Sequence, residues 1–125
     1  MTFLFHLEKK VKMIIIKKNL DYKAVYNCKN SFSDYNIVIF IKKNNELSNR
    51  YGFTSAKKIK NAVDRNRIRR RLKEIVRLNE DKIKIGYDIV FMARVNAVNA
   101  DYKELEKSFF KVLKRSNLKI EGKNR

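Results

Sequence analysis

Residues 57–74 of this chain, KKIKNAVDRNRIRRRLKE, are its most densely basic segment. Between Arg50 and Arg77 the chain carries eleven lysines and arginines against two acids, Asp64 and Glu74. The resulting +9 is half of the net charge of +18, held in 28 residues. Like charges packed this densely repel one another and destabilise a compact fold unless an anion screens them. The stretch therefore predicts contact with a polyanion.

A single helix is predicted across this stretch, from Asn61 to Asn79. Asn61 is a suitable N-cap, and Asp64 in the first turn suits the helix dipole. At 100° per residue the apolar side chains fall on one stripe, formed by Ile68, Leu72, Ile75 and Val76. The opposite side is polar and cationic, and consists of Asn66, Arg70, Lys73 and Arg77, flanked by Arg67 and Arg69. A solvated helix face usually mixes charge signs and this one hardly does, so phosphate binding is the preferred interpretation.

Length and composition indicate one folded domain rather than a basic tail. The chain has 125 residues, of which 44% are apolar, which is enough for a modest core. A charge of +18 and a pI near 10.2 point to nucleic acid or an anionic membrane surface. No apolar run approaches the roughly 20 residues of a membrane span, and residues 1–7 lack the features of a signal peptide. We therefore expect a cytoplasmic protein.

The sequence contains no recognisable catalytic constellation. His6 is its one histidine and Cys28 its one cysteine, so a histidine base, an internal disulfide and a zinc site are not expected. Cys28 is interpreted as a buried thiol. The three glycines lie far apart, which argues against a glycine-rich phosphate loop. If the chain takes part in a reaction, the catalytic groups are expected on another molecule.

Upstream of the basic stretch, residues 20–28 predict a short helix. Tyr22 and Tyr26 stand four residues apart and therefore share one face of it, and Asn19 or Asp21 is expected to cap its start. Two interpretations of the tyrosines stay open. They are core residues, or they form a stacking platform for an unpaired base at the edge of a basic protein.

The remaining segments predict a small sheet and a closing helix. Three segments rich in β-branched and aromatic residues predict strands: 35–41, 50–56 and 87–94. Residues 29–34 are expected to form a loop, and Gly52 marks a bulge or a close backbone approach. Residues 99–101, Asn-Ala-Asp, are expected to cap the last helix. This order predicts an α+β sandwich in which helices cover one face of the sheet.

Residues 57–70, KKIKNAVDRNRIRR, resemble the signature of the bacterial ribonuclease P protein subunit, with its Arg-Asn-Arg core at residues 65–67. Three other segments match the family pattern in order: the aromatic first helix at 21–26, the strand before the signature at 52–56, and the later strand at 87–94. Asp64 departs from the signature by placing an acid inside it. The likeness covers residues 17–118, which we take as the domain. Residues 1–16 are predicted to be a flexible extension, and residues 119–125 a basic tail.

The resemblance implies the protein component of an endoribonuclease that removes the 5′ leader from precursor tRNA. It also implies a large partner, ribonuclease P RNA, which carries the catalytic Mg²⁺ ions, so no catalytic or metal-binding residues are expected in the protein. The residues implied to bind the catalytic RNA are Arg65, Asn66, Arg67, Arg69, Arg70 and Lys73. Those implied to hold the leader, in a cleft between the first helix and the sheet, are Tyr22, Tyr26, Phe40, Lys57 and Lys58.

The fold implied by the resemblance is α+β. It is a two-layer sandwich with a small, mainly antiparallel four-stranded sheet, helices packed on it and a left-handed βαβ crossover, related to a domain of a small-subunit ribosomal protein. The fourth strand is expected around residues 35–45 or split from them. Neither an obligate protein partner nor a membrane is predicted.

Two other functions fit a basic α+β domain. One is a structural RNA-binding protein of the ribosome, which needs the basic face but no separate aromatic cleft. The other is a DNA-binding regulator that uses residues 61–79 as a recognition helix. Nothing in the sequence resembles a paired helix-turn-helix, which disfavours the regulator.

Overall fold

The chain forms a five-stranded sheet and three α-helices in the computed structural model, which describes residues 13–120. The elements follow in the order β1 (Ile14–Ile15), α1 (Asn19–Asn27), β2 (Ser31–Ser33), β3 (Ile37–Lys43), β4 (Arg50–Ser55), α2 (Ala62–Asn79), β5 (Tyr87–Ala93) and α3 (Tyr102–Arg115). Short 3₁₀ helices at Glu80–Lys82 and Val95–Asn99 lie on either side of β5. The predicted α+β class is confirmed.

The strand order across the sheet is β1-β4-β5-β3-β2. β4 and β5 are parallel neighbours joined through α2, so they form a βαβ unit, and β3 runs antiparallel to β5. β1 is parallel to β4, and β2 is antiparallel to β3. Within residues 13–120 the sheet therefore has five strands in mixed orientation. It differs in this from the four mainly antiparallel strands that the family resemblance implied.

β2 is one of the two strands that the sequence pattern hides. Residues 29–34 predict a loop, whereas Ser31–Ser33 pairs with Val38–Phe40 of β3. Of its three residues, Phe32 packs against the core and the two serines are exposed. One ring between two serines carries almost no strand signal. The additional strand that was expected around residues 35–45 is therefore β2, which lies just before that segment.

β1 lies inside the extension predicted over residues 1–16. Ile14–Ile15 pairs with Arg50–Tyr51 at the free edge of β4, and Ile16 is buried. β-branched residues readily cover an exposed strand edge, so the ordered part of the domain begins before residue 17. At the other end, residues 119–120 of the predicted tail pair with residues 82–83. Residues 1–12 and 121–125 lie outside the described part of the chain.

The larger core lies between the sheet and the two long helices, α2 and α3. The stripe predicted on α2 is confirmed, because its four apolar residues are fully buried there: Ile68, Leu72, Ile75 and Val76. The sheet and α3 meet this stripe with aromatic and branched side chains, among them Ile39, Tyr51, Phe91, Leu105 and Phe109. Each such burial stabilises the fold by about 1.5–3 kcal/mol, which offsets charge repulsion along the outer face of α2.

α1 packs on the opposite face of the sheet, so helices cover both faces rather than the single face predicted. Val25 of α1 is buried against Ile16 and against Val90 of β5. Strand alternation places Val90 on the face opposite to Phe91. Val25 is the one fully buried residue of α1, and such a narrow apolar stripe does not reveal which face a helix covers. Because α1 has only nine residues, it covers only part of that face of the sheet.

Two of the three predicted helix caps are confirmed. Asn61 Oδ1 accepts the backbone N–H two residues on at 2.8 Å, and Asp101 forms a reciprocal capping box at the start of α3. α1 begins after Lys18 without a side-chain cap, so the expected role of Asn19 or Asp21 is wrong. No helix within residues 13–120 is long and apolar enough to cross a membrane.

Candidate nucleic-acid interface

Three aromatic side chains form a cluster between α1 and the sheet. Tyr22 and Tyr26 share one face of α1, and their ring centroids are 6.4 Å apart. Tyr26 meets Phe40 of β3 edge to face, with 4.8 Å between centroids. All three are half-buried and pack against the small core around Val25. The structure thus brings together the three aromatic residues expected in the cleft, and they both pack on the core and keep part of each ring in solvent.

Gly52 explains why Tyr22 can lie so close to the sheet. A Cβ built on Gly52 would come within 2.5 Å of Cε1 and 2.8 Å of the hydroxyl oxygen of Tyr22. Of the two alternatives predicted for this glycine, the close approach is therefore confirmed. Burial raises the pKa of the Tyr22 phenol, while a hydrogen bond with the backbone of Phe53 and the positive charge of Arg69 oppose that rise. The phenol therefore lies beside the basic helix.

The floor of the cleft continues along the same sheet face beyond the cluster. Past the row that contains Phe40 and Gly52, the next row on this face is formed by Val38, Met92 and Thr54. These three side chains are partly exposed, and the buried Oγ1 of Thr54 has no hydrogen-bond partner among the described residues. Sequence reasoning missed this row. The alternation of side chains along each strand could have revealed it, because these residues alternate with the core residues of the same strands and so point to the other face of the sheet.

The basic face of α2 points to solvent, opposite the buried stripe. Of the predicted RNA-binding residues on this face, three are exposed: Asn66, Arg70 and Lys73. The other three are partly exposed: Arg65, Arg67 and Arg69. Neither Arg70 nor Lys73 makes a hydrogen bond or an ion pair with any residue in the range 13–120. These two cations can therefore bind an anion without giving up a contact to the described residues.

Both arginines of the Arg-Asn-Arg core also anchor the protein's own backbone. Arg65 Nη1 donates to the carbonyl oxygens of residues 59–60, each at 2.9 Å. Arg67 donates to Val98 O at 2.9 Å and pairs with Asp64 Oδ1 at 2.7 Å. The acid that departs from the family signature therefore neutralises part of Arg67. These two side chains hold the turn before α2 and the 3₁₀ helix after β5.

The aromatic cluster and the basic helix meet at Tyr22. A pocket of about 340 Å³ at this junction is lined by Ile15, Tyr22, Phe53, Asn66, Arg69, Arg70 and Lys73. On its wall, Arg69 Nη2 donates to Asn66 Oδ1 at 2.5 Å. A ring, an amide and three cations thus surround one concavity. Such a surface suits an RNA strand that places a base on the ring and a phosphate on the cations.

Lys57 and Lys58 lie at one end of the sheet and not against the rings. Both are exposed in the turn between β4 and α2. Ala56 N donates to Ala93 O at 2.8 Å, so this turn starts beside the end of β5, about 13 Å along β4 from Gly52. The structure places these lysines beyond the cleft floor, at its open end.

An ion pair beneath α1 fixes the helix on the sheet, and sequence reasoning missed it. Asp88 of β5 is buried, and its carboxylate accepts from Arg50 Nη2 at 2.6 Å and from Arg50 Nε at 3.0 Å. Arg50 Nη1 also lies 3.3 Å from Oδ2 of Asp21 on α1. Burial disfavours the charge on Asp88, but hydrogen bonds from Arg50 and Asn44 outweigh it and lower the pKa. A lone acid inside an apolar strand is the signal that could have found this pair.

Titratable side chains in the described chain form no cluster with obvious chemistry. Within residues 13–120, no three His, Cys, Asp or Glu side chains come together as ligands for a metal ion. Cys28 is exposed at the end of α1, so its interpretation as a buried thiol is wrong. His6 lies outside the described residues.

Comparison with known protein families assigns the chain. The family model described as Ribonuclease P matches residues 11–117. The chain belongs to the ribonuclease P protein family. The resemblance carried by residues 57–70 is therefore confirmed, and in the structure those residues form the turn before α2 and its first half.

Two relatives show how much of the ribonuclease P protein is shared. The ribonuclease P protein component of Alkaliphilus oremlandii is 43% identical over 103 residues, which cover 82% of this chain and 90% of the relative. That of Clostridioides difficile is 43% identical over 106 residues, covering 84% and 93%. Membership of the family makes the chain a protein component of ribonuclease P, and so part of an endoribonuclease complex of tRNA processing.

Solved structures of ribonuclease P proteins share the fold. The protein from Staphylococcus aureus superposes with a TM-score of 0.78 at 29% identity, over 87% of this chain and 100% of that one. The protein from Thermotoga maritima gives a TM-score of 0.74 at 25% identity, over 90% and 100%. The mixed sheet and the helices on its two faces therefore belong to a known ribonuclease P protein architecture.

Proposed function

We propose that the protein binds the RNA subunit of ribonuclease P through α2 and holds the 5′ leader of precursor tRNA in the cleft between α1 and the sheet. The observation that carries this proposal is the junction at Tyr22, where a half-buried aromatic cluster adjoins the cationic face of α2. Aromatic rings and phosphate-binding cations side by side are typical of proteins that hold single-stranded nucleic acid. A ribosomal scaffold protein would need the basic face alone.

The leader is assigned to the aromatic cluster and the cleft floor. A leader varies in sequence, so it has to be held without reading base edges, and ring faces accept any base. Each stacked base contributes about 1–3 kcal/mol. Tyr22, Tyr26 and Phe40 supply the rings, and Lys57 and Lys58 at the open end of the floor attract the phosphates that follow.

The catalytic RNA is assigned to the outer face of α2. Its contacts are the exposed and partly exposed residues Arg65, Asn66, Arg67, Arg69, Arg70 and Lys73. Neutralising phosphates releases counterions, so assembly weakens steeply as salt rises. Arg70 and Lys73, which have no partner within residues 13–120, carry most of this term, because Arg65 and Arg67 are partly engaged with the protein's own backbone.

Bond cleavage is assigned to the RNA subunit and its Mg²⁺ ions. The protein brings positive charge between two anionic RNAs and thereby offsets their repulsion. This lowers the Mg²⁺ concentration that the complex needs and broadens the range of precursors that it accepts. We expect the complex to act in the cytoplasm, without a membrane or an obligate protein partner.

Reconstitution with a bacterial ribonuclease P RNA and a precursor tRNA tests this proposal. We expect the protein to stimulate cleavage at low Mg²⁺ and to cleave nothing by itself. Cleavage by the RNA that is unchanged by the protein at every Mg²⁺ concentration would contradict the proposal.

Two variants separate the two surfaces. Tyr26→Ala removes a stacking ring, so we expect it to weaken binding of leader-bearing substrate about 5- to 100-fold and binding of mature tRNA very little. Arg67→Ala is expected chiefly to weaken assembly with the RNA subunit. Binding titrations with both RNAs measure this, and equal defects in the two variants would show that the surfaces are not distinct.

A further inference from the structure

A second concave surface lies at the end of the sheet, where β3 begins and β5 ends. It is a pocket of about 240 Å³ lined by Tyr35, Asn36, Val95, Asn96, Asn99, Ala100 and Glu104. We call it the strand-end pocket. It contains none of the residues assigned above to the leader or to the RNA subunit.

Tyr35 is displayed in this pocket rather than packed. It is 70% exposed, and it stands out among the aromatic side chains of residues 13–120 as the one left largely in solvent. Val95 beside it is 43% exposed. Apolar surface left in water adds nothing to folding, so a ring and an aliphatic side chain displayed together indicate a binding surface.

The loop that carries Tyr35 is firmly held. Arg94 donates from its backbone N to Asn36 O and from Nη1 to Asp34 O, both at 2.8 Å. Asn96 Nδ2 donates to Tyr35 O at 3.1 Å. Both ends of the loop are thus tied to the segment after β5. A ring on a pre-formed loop binds a ligand with little further ordering, which favours affinity.

The groups around the pocket suit a nucleotide. Arg94 is exposed at its edge, and the turn with Lys57 and Lys58 starts beside the end of β5. The Oδ1 of Asn96 and the amide of Asn99 can hydrogen-bond to base edges. The carboxylate that lines the pocket, that of Glu104, already accepts the backbone N–H of Asp101 in the cap of α3.

The strand-end pocket lies at the same end of the sheet toward which the cleft floor extends. The floor row of Val38, Met92 and Thr54 crosses the sheet two residues nearer the end of β5 than the row that contains Phe40 and Gly52. Two residues beyond Met92 the chain reaches Arg94, which holds the Tyr35 loop. An RNA strand that leaves the cleft at this end of the sheet therefore has Arg94 and the Tyr35 loop within reach.

We propose that the strand-end pocket binds an unpaired RNA nucleotide, whose base stacks on Tyr35 beside Val95 and whose phosphate pairs with Arg94. This inference rests on the proposed function and deepens it, because it adds a nucleotide site beyond the cleft. The nucleotide comes from the leader or from the RNA subunit, and the two sources are separated by experiment.

The experiment compares Tyr35→Ala with wild type in the reconstituted complex. Affinity is measured for a series of precursor tRNAs with leaders of increasing length, and 2-aminopurine placed along the leader reports stacking by its quenched fluorescence. Tyr35→Phe keeps the ring and serves as the conservative variant. Leu47→Ala, which removes another exposed apolar side chain at the opposite end of the sheet, is the matched control. Unchanged thermal unfolding establishes that each variant is folded.

For wild type we expect affinity to rise with leader length and then to level off. Tyr35→Ala should lose about tenfold in affinity for the longest leaders only, together with the fluorescence quench at the distal positions, and Tyr35→Phe should retain both. A loss in affinity for the RNA subunit, equal at all leader lengths, would assign the nucleotide to that subunit. If Tyr35→Ala behaves as Leu47→Ala toward both RNAs, the strand-end pocket binds no nucleotide. That result would leave the proposed function intact as long as Tyr26→Ala still weakens leader binding, whereas wild-type affinity independent of the leader would remove the proposed function itself.

Discussion

At the residue scale, the contact between Gly52 and Tyr22 sets the depth of the cleft. Because an added Cβ would lie 2.5 Å from the ring, Gly52→Ala forces Tyr22 or β4 to move. We expect a loss of about 1–3 kcal/mol in the free energy of unfolding and weaker binding of leader-bearing substrate. Urea unfolding and substrate titration measure the two effects.

The double variant Gly52→Ala/Tyr22→Ala tests the origin of that loss. With the ring removed, the added methyl group has room, so we expect Gly52→Ala to cost almost nothing in the Tyr22→Ala background. An equal penalty in both backgrounds would mean that the strain lies in the β4 backbone and not in the contact with Tyr22.

Asp88 is the second residue whose replacement we expect to be costly. Asp88→Asn keeps the shape of the side chain but removes the charge that Arg50 pairs with beneath α1. Hydrogen bonds to charged groups stabilise a fold by more than neutral ones do, so we expect a loss of about 1–3 kcal/mol in the free energy of unfolding at neutral pH. Chemical denaturation measures it.

The same ion pair gives the protein a defined response to acid. Because the folded-state pKa of Asp88 is lowered, its contribution is complete above the unfolded-state pKa of about 3.9 and is lost as pH falls through the folded-state value. We expect wild-type stability to fall below about pH 4 and Asp88→Asn to flatten that part of the profile. Glu46→Gln, which removes an exposed carboxyl group, is the control. A profile for Asp88→Asn parallel to that of wild type would contradict the assignment.

At the scale of elements, α2 serves two purposes with one set of arginines. Arg67 holds Val98 O while Arg70 holds nothing within residues 13–120. We therefore expect Arg67→Ala to lower both the free energy of unfolding and the affinity for the RNA subunit. Arg70→Ala is expected to lower the affinity alone and to reduce the slope of log affinity against log salt by about 0.7–0.9. Salt-dependent titrations and thermal unfolding distinguish them, and equal stability of the two variants would contradict the double role of Arg67.

The elements predicted from the sequence are those whose pattern repeats. α2 shows its buried stripe, its Asn61 cap and its cationic face, because eighteen residues give five turns of evidence. The central strands show runs of β-branched residues. β1 and β2 have two and three residues, too few for any period, and their pairing depends on free strand edges that exist only after the sheet has formed.

The residues of the candidate site also divide into those that a local sequence pattern predicts and those that it does not. The aromatic pair on α1 is visible because its spacing is local, and the predicted proximity of Phe40 came with the family resemblance. The position of α1 on the second face, the floor row with Thr54 and the pair of Arg50 with Asp88 are contacts between distant segments. Alternation marks the floor residues and the lone acid in β5 marks Asp88, but no local pattern identifies the distant segment that each of them meets.

At the scale of the whole molecule, the net charge and the core act against each other. The chain carries +18, and half of it lies in residues 50–77, where α2, on one side of the sheet, holds seven lysines and arginines. Repulsion of this kind destabilises the compact state, and anything that binds the folded form and neutralises that side stabilises it. We therefore expect anions to raise the free energy of unfolding of the RNA-free protein. A multivalent anion should raise it more than a monovalent anion does at the same ionic strength.

Pyrophosphate provides the test, because it bears phosphate groups and acts at concentrations too low for general salt effects on hydration. At ten times its dissociation constant, a single site stabilises the folded state by about 1.4 kcal/mol, so we expect a higher unfolding midpoint than in sodium chloride of equal ionic strength. The double variant Arg70→Ala/Lys73→Ala lacks the two cations of the junction that have no partner among the described residues, and is expected to lose most of that gain. Equal midpoints in the two salts would mean that the charge of α2 is dispersed and not organised into an anion site. In that case the RNA partners would only screen the charge repulsion within the protein, and the junction at Tyr22 would not be a phosphate-binding site.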